Sequence, residues 1–258
     1  MTMLPHVLSP VTSHCAACGQ VADIVEGLPL CPDCLKQLLK ARRNDAPLCP
    51  RCLSVLSVGH PCAVCRRDPQ RLISRTFAPY RYRGAVRGLV LRLKFSGDTQ
   101  AAALLAPPMA EAADEAEADI LIPVPLGKAR FGERGYNQAY LLAMLVGHLR
   151  GIPAEECLVR TKNTKRQSGL HTIRERRSNL QGVFELKPGI DITGKRVLLV
   201  DDVRTSGATA LACARVLREH GAADVQLLCA AIAPGAGRYF HAGKGKRKIY
   251  RFPPRKSS

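Results

Sequence analysis

A chain of 258 residues with 46% apolar residues has room for one medium domain with a good core plus a small extra module. Its formal net charge of +18, from 39 Lys and Arg against 21 Asp and Glu, favours polyanionic partners such as nucleic acid, nucleotides or an acidic surface. No apolar run approaches the length of a membrane span, and the first ten residues lack the basic-then-apolar order of a secretory signal, so the expectation is a cytoplasmic protein.

Eight of the eleven cysteines fall within residues 15–65, as four C-x-x-C pairs: Cys15/Cys18, Cys31/Cys34, Cys49/Cys52 and Cys62/Cys65. Each pair places two thiolates on one side of a tight knuckle, and two knuckles complete the tetrahedral set that structural zinc requires. Neighbouring pairs give one site from Cys15, Cys18, Cys31 and Cys34 and a second from Cys49, Cys52, Cys62 and Cys65; an interleaved pairing satisfies the same chemistry. Disulfides require an oxidising compartment for which the chain carries no signal, and a redox C-x-x-C sits singly. An iron–sulfur centre uses the same ligands. Zinc best fits a segment with few large apolar residues, because metal binding supplies the folding energy its core lacks. His14 and His60 flank ligand pairs and read as exposed neighbours. Cys157, Cys213 and Cys229 lie among apolar residues and read as core.

Residues 66–75 form an arginine-rich link. Residues 77–83 alternate as a strand, and 84–95 show helical spacing through Val86, Leu89, Val90 and Leu93. Residues 104–118 are alanine-rich and acidic, a surface helix interrupted at Pro107 and Pro108. A buried strand is predicted at 119–125. The loop after it carries Lys128, Arg130 and Arg134, which either form an anion site suited to pyrophosphate or a basic surface loop. Tyr136, Asn137 and Gln138 lead into a nearly all-apolar helix to Leu149.

Further strands are predicted at 158–161, 183–186 and 225–232. The polar stretch 162–180, with seven basic residues, is either a lid or a linker. In the tail, Lys244, Lys246, Arg247, Lys248 and Arg251 alternate with Tyr239, Phe240, Tyr250 and Phe252. Cations among aromatics suit stacking on single-stranded DNA; a solvated tail is the plain alternative.

The most informative stretch is 197–209, VLLVDDVRTSGAT. Four apolar residues read as a buried strand, Asp201 and Asp202 stand at its end, and Thr205, Ser206, Gly207, Ala208 and Thr209 make a small hydroxyl-rich turn. A helix opens at once, with Ala208, Leu211, Ala212 and Val216 on one face. Free N–H groups and the positive end of the helix dipole favour a phosphate in such a turn. Two carboxylates beside it would repel that phosphate unless they bind sugar hydroxyls or a metal ion. A phosphorylated ribose satisfies both halves. The plain alternative is a strand–helix unit whose acids are solvated and whose Thr205 or Ser206 caps the helix.

These residues resemble the ribose-phosphate motif of type I phosphoribosyltransferases. Taken with the cysteine knuckles, the K-F-x-G-D-type segment at 94–98, IPVP-L at 122–126, RGYNQA at 134–139 and the stretch 167–179, they look like the ComF family over about residues 15–235. Tyr136 stands where phenylalanine is usual in that family, and Ser206 where threonine is frequent. The resemblance implies a type I phosphoribosyltransferase-like α/β fold, a parallel sheet flanked by helices, with a small N-terminal double zinc-ribbon module. The expected organisation is a cysteine module at 1–66, a link at 67–75, the phosphoribosyltransferase-like domain at 76–235 and a basic tail at 236–258.

The implied function is handling of incoming single-stranded DNA in natural competence, with competence proteins as partners. Phosphoribosyl pyrophosphate would bind with Mg²⁺: its 5′-phosphate on residues 205–209, its ribose on Asp201 and Asp202 (directly or with one acid acting through metal-bound water), and its pyrophosphate against Lys128, Arg130 and Arg134. An enzyme with an unknown acceptor and a non-catalytic binding protein on the same scaffold are the two readings.

Overall fold

The computed structural model describes residues 12–23, 27–42, 48–56, 62, 64–96, 99–161 and 182–233. The predicted lid at 162–180, His60 and the basic tail lie outside these residues.

The N-terminal region opens with a two-stranded antiparallel ribbon, β1 (Thr12–His14) and β2 (Val21–Asp23), followed by α1 (Pro32–Lys40). Pro32 starts α1 where a missing N–H costs nothing. The central sheet is built from β3 (Thr76–Phe77), β4 (Tyr80–Arg81), β5 (Ile120–Pro123), β8 (Arg196–Arg204) and β9 (Asp224–Ile232). All of its pairings are parallel. In space β5 lies beside β8, β8 beside β9, and β3 and β4 together line the other edge of β9.

Near-continuous apolar runs such as ILIP in β5 and VLLV in β8 mark strands covered on both faces. Period-2 alternation then sorts them. Leu121, Leu198, Val200 and Leu228 face a layer formed by α2 (Gly84–Phe95), α3 (Gln100–Ala112) and α5 (Gln138–Arg150). Ile120, Ile122, Val197, Leu199 and Leu227 face α6 (Ala208–Glu219) and a separate antiparallel pair, β6 (Leu158–Arg160) and β7 (Phe184–Leu186). The predicted strands at 158–161 and 183–186 therefore exist but stand off the main sheet.

Two local expectations change. Helix α3 starts earlier than predicted and runs through Pro107 and Pro108 without a break. The two rings delete the hydrogen bonds owed to the carbonyls of Ala103 and Leu104. Ala103 is exposed and Leu104 half-buried, on the side where water can replace those bonds. Helix α6 buries Ala208, Ala210, Cys213, Ala214 and Leu217, whereas Leu211, Ala212 and Val216 are half-buried. The buried stripe is rotated from the predicted one because the helix is wedged between the sheet and β7. Cys157, Cys213 and Cys229 are fully buried, as their apolar neighbours imply.

The cysteine-rich residues share the core of the sheet domain. Cys15, Ala16, Ala17, Leu30, Cys34, Leu38 and Ala41 pack in one cluster with Val86, Leu89, Val90 and Leu93 of α2. In residues 67–75, Asp68 and Ile73 are buried as well.

Candidate functional site

The four knuckles close in neighbouring pairs. The sulfur atoms of Cys15, Cys18, Cys31 and Cys34 lie within 4.8 Å of one another, and so do those of Cys49, Cys52, Cys62 and Cys65. In the second cluster Cys49 and Cys65 are 3.6 Å apart and Cys52 and Cys62 3.4 Å. A tetrahedron of thiolates around zinc at about 2.3 Å has edges of roughly 3.8 Å, so the sulfur spacing of both sets suits a tetrathiolate ion. Interleaved pairing is thereby overturned, because each cluster is built from sequence neighbours. His14 is exposed and joins neither set. In the first cluster the backbone N–H of Cys31 donates to the Cys15 sulfur at 3.3 Å. Burial pushes the Cys15 thiol up, but N–H groups from Cys18, Cys31 and Ala17 outweigh it and bring the thiol down to about 7.

The second chemical centre lies at the carboxyl ends of β5 and β8, where ligands of open parallel sheets bind. After Arg204 the chain turns through Thr205, Ser206 and Gly207 into α6. Gly207 has φ 77°, a left-handed conformation open to glycine, and it is the N-cap residue of the helix. Glycine at the N-cap brings no side chain to cap the first turn of α6. Ser206 Oγ accepts the Ala208 N–H only at 3.4 Å. The helix-capping alternative is thus weakly satisfied, and Thr205 and Thr209 line an opening beside the turn, whereas Ser206 lines the neighbouring cleft. A cavity of about 240 Å³ is lined by Asp201, Thr205, Gly207, Ala208 and Thr209.

The two acids go to different places. Asp201 shares that cavity with the turn. Packed atoms enclose the rest of its carboxyl, and this burial, with the Asp202 charge beside it, raises it to about 8. Asp202 is 3% exposed and reaches the opposite layer, where its carboxylate meets Lys94 Nζ of α2 at 2.5 Å. Burial pushes the Lys94 ammonium down, but the charges of Asp202 and Asp201 outweigh it and the net shift is upward. Each carboxylate also accepts the next backbone N–H, Asp201 from Asp202 at 2.8 Å and Asp202 from Val203 at 2.7 Å.

Residues 128–134 form a short helix, α4 (Lys128–Arg134), where the sequence suggested a loop. Its glycines explain the misreading: Gly127 precedes the helix as N-cap and Gly135, at φ 78°, ends it, while Gly132 lies inside. Of the three predicted cations, Arg134 is brought to the acids. It donates to Gln138 Oε1 at 2.8 Å, stacks 5.1 Å from the Phe95 ring centre and feels the Asp202 charge; burial is the larger influence and pushes its guanidinium down. Arg130 is half-buried and Lys128 exposed. The RGYNQA segment fastens this helix pair to β5. Asn137 caps α5 through Ala139 N at 3.1 Å and donates to the Val124 carbonyl at 3.1 Å, while the Tyr136 hydroxyl donates to the carbonyl of Leu93.

Lys94 and Arg204 are the residues that residue-by-residue reading missed. For Lys94 a signal existed: Val86, Val90 and Lys94 repeat at four-residue spacing, which puts the lysine on the buried face of α2. Arg204 is 4% exposed, and its Nη2 donates to the Cys52 carbonyl at 2.7 Å and to Ser54 Oγ at 3.2 Å. No sequence signal links residues 152 positions apart.

Comparison with known proteins adds the relationships. The phosphoribosyl transferase domain family matches residues 150–248. Competence protein ComFC of Bacillus subtilis is 32% identical over 200 residues, covering 75% of this chain and 80% of that protein. DNA utilization protein YhgH of Salmonella typhi is 32% identical over 232 residues, 84% of this chain and 90% of that protein. A solved purine phosphoribosyltransferase from Pyrococcus horikoshii Ot3 aligns at 20% identity with a TM-score of 0.35, over 53% of this chain and 76% of that one, too loose a likeness to argue from. Identity of this extent to both curated relatives, joined to a parallel sheet and two four-cysteine clusters, shows that the chain belongs to the ComF family.

Proposed function

We propose that the protein binds phosphoribosyl pyrophosphate with Mg²⁺ and acts in DNA handling during competence, with zinc as the structural ion of both cysteine clusters. The observation that carries the phosphate reading is the single cavity in which Asp201 faces the Thr205–Gly207 turn and the amino end of α6. The 5′-phosphate would take the amides and hydroxyls of 205–209, and Asp201 would accept the ribose hydroxyls. Mg²⁺, arriving with the substrate, would neutralise the pyrophosphate charge. Lys94 and Arg134 would supply the protein's share of that neutralisation, and Asp202 would hold Lys94 in place. Arg130 and Lys128 would extend the same positive field along α4.

Zinc is supported by the sulfur spacing and by four thiolates per cluster, which leave no open coordination position; its role is to hold the fold. We further propose the division into a cysteine module at 1–66 and a phosphoribosyltransferase-like domain at 76–235. A non-catalytic DNA-binding reading draws on the net charge of +18 and on the relatives named for competence and DNA utilization. Its proposed contacts Lys244, Lys246, Arg247, Lys248 and Arg251 lie outside the described residues.

Calorimetric titration with phosphoribosyl pyrophosphate and Mg²⁺ tests the site. Binding by the native chain that disappears in Asp201→Asn supports it. A folded, zinc-loaded native chain that gives no heat overturns it and leaves DNA binding as the leading function. Loss of single-stranded DNA affinity with rising salt, lessened by removing residues 238–258, tests the second reading.

A further inference from the structure

The second cysteine cluster and the turn at 205–207 meet through one side chain. Arg204 is the last residue of β8, directly before Thr205. Among the described residues, no carboxylate pairs with its guanidinium. It donates to the carbonyl of Cys52, itself one of the four clustered thiols, and to Ser54 two residues on. The knuckle is fixed from the other side as well: Thr76 N donates to the Arg51 carbonyl at 2.8 Å, and Arg51 Nε donates to the carbonyl of Ile73 at 2.9 Å while its Nη2 pairs with Asp68. A cleft of about 540 Å³ runs along this seam, with Cys52 and Cys65 on one wall and Ser206, Gly207 and Ala208 on the other. The first cluster has no such link among the described residues; it packs against α2 on the other layer.

We propose that the second cluster is a positioning element for the phosphate turn, acting through Arg204, so that zinc at Cys49, Cys52, Cys62 and Cys65 and a phosphate at 205–209 stabilise each other. This rests on reading 205–209 as the phosphate site. The physical reason is that an arginine held by two acceptors fixes the direction in which the chain leaves β8. Those acceptors keep their place only while the knuckle is closed. Losing the metal would free the Cys52 carbonyl, release Arg204 and let the turn leave its present geometry. Because coupling between two sites is reciprocal, the phosphate ligand must raise the zinc affinity of the second cluster by the same factor, and so lower the population of its open, metal-free form.

The test uses the full zinc-loaded chain, native and as Arg204→Gln and Arg204→Lys. Three quantities are read: phosphoribosyl pyrophosphate affinity by calorimetry, hydrogen exchange of amides 205–210, and the rate at which each cysteine cluster is alkylated in the presence of a chelator, resolved by mass spectrometry. Losing a charge-assisted hydrogen bond should weaken ligand binding roughly tenfold in Arg204→Gln, with partial rescue in Arg204→Lys. Exchange at 205–210 should rise. The ligand should slow alkylation of the second cluster and not the first in the native chain, and this protection should vanish in Arg204→Gln.

A native chain that binds the ligand, with a folded Arg204→Gln that binds equally and shows unchanged exchange, overturns the coupling and leaves the phosphate site intact. If Arg204→Gln does not fold, the comparison of native with Arg204→Lys decides. If the native chain does not bind the ligand, the phosphate reading has failed. Exchange at 205–210 then decides alone: a rise in Arg204→Gln supports positioning by the cluster, and no change overturns it.

Discussion

Lys94 and Asp202 form a buried ion pair across the α2–β8 interface, 2.5 Å between charged atoms, with the carboxylate side chain 4% and the lysine 22% exposed. The lysine's partner is one of two consecutive acids, and the pair divides their duties: one carboxylate is compensated from below, the other opens to the cavity. Removing the lysine alone should be costly, because it leaves a charge in a site closed to water. Lys94→Met is expected to lose about 3–5 kcal/mol of stability, and Lys94→Met with Asp202→Asn much less. A double-mutant cycle by chemical denaturation measures the difference.

Asp201 sets a pH dependence. Its carboxyl titrates at about 8 in the fold, against about 3.9 in an unfolded chain. Between these values the folded state keeps a proton that the unfolded state has released. Its contribution is therefore full below about pH 4 and lost as pH rises toward 8, at no more than about 1.4 kcal/mol per pH unit. Denaturant midpoints of the native chain should fall across that window relative to Asp201→Asn. Parallel profiles for the two proteins would contradict the assignment.

Gly207→Ala isolates backbone conformation. A Cβ there would have Arg204 Cδ at 3.9 Å as its nearest neighbour, so space is available and the cost comes from φ 77°. That strain is about 1–2 kcal/mol, and the thermal midpoint should fall accordingly. If the turn holds phosphate, affinity should fall with it.

Gly88→Ala tests a close approach. A Cβ at this position would lie 2.3 Å from the Ala17 carbonyl oxygen, inside backbone that cannot yield cheaply. The first knuckle should separate from α2, with about 1–3 kcal/mol of lost stability and faster alkylation of Cys15 and Cys18.

Native mass spectrometry should find two zinc ions per chain. Cys31→Ser should leave the ion of the second cluster, and Cys62→Ser that of the first. Concerted loss of both ions from either variant would contradict neighbouring pairing as the basis of two separate sites.

The strands from residue 120 onward, the helix of residues 84–95 and the four knuckles were legible because each depends on local spacing; β1 and β2 went unread, and the strand expected at 77–83 divides into β3 and β4. Also legible was the turn at 205–209, where strand, acids, hydroxyls and glycine follow in order. Both acids were read as ribose ligands; strand alternation instead sends them to opposite faces, and Lys94, the partner of Asp202, lies more than 100 positions away. Helix α4 was obscured because Gly132 and a dense set of cations look like loop chemistry. Its ends are set by Gly127, Gly135 and the anchoring of Asn137 to Val124, a tertiary contact. The stripe on α6 was misplaced because β7 covers a side that a sheet alone would leave open. The continuity of the cysteine residues with the α2 core has no sequence signature at all.

The seam at Arg204 also orders events during synthesis. Each knuckle pair closes a short loop, whereas the contact from Arg204 to Cys52 spans 152 residues. Local closures form early, and distant ones wait for chain that has not yet emerged. A nascent chain would therefore hold its metal long before the strand that anchors the second knuckle exists. Until β8 arrives, that knuckle has one face without its final neighbour, and a late stage of maturation would be the docking of an already closed knuckle onto a newly made sheet.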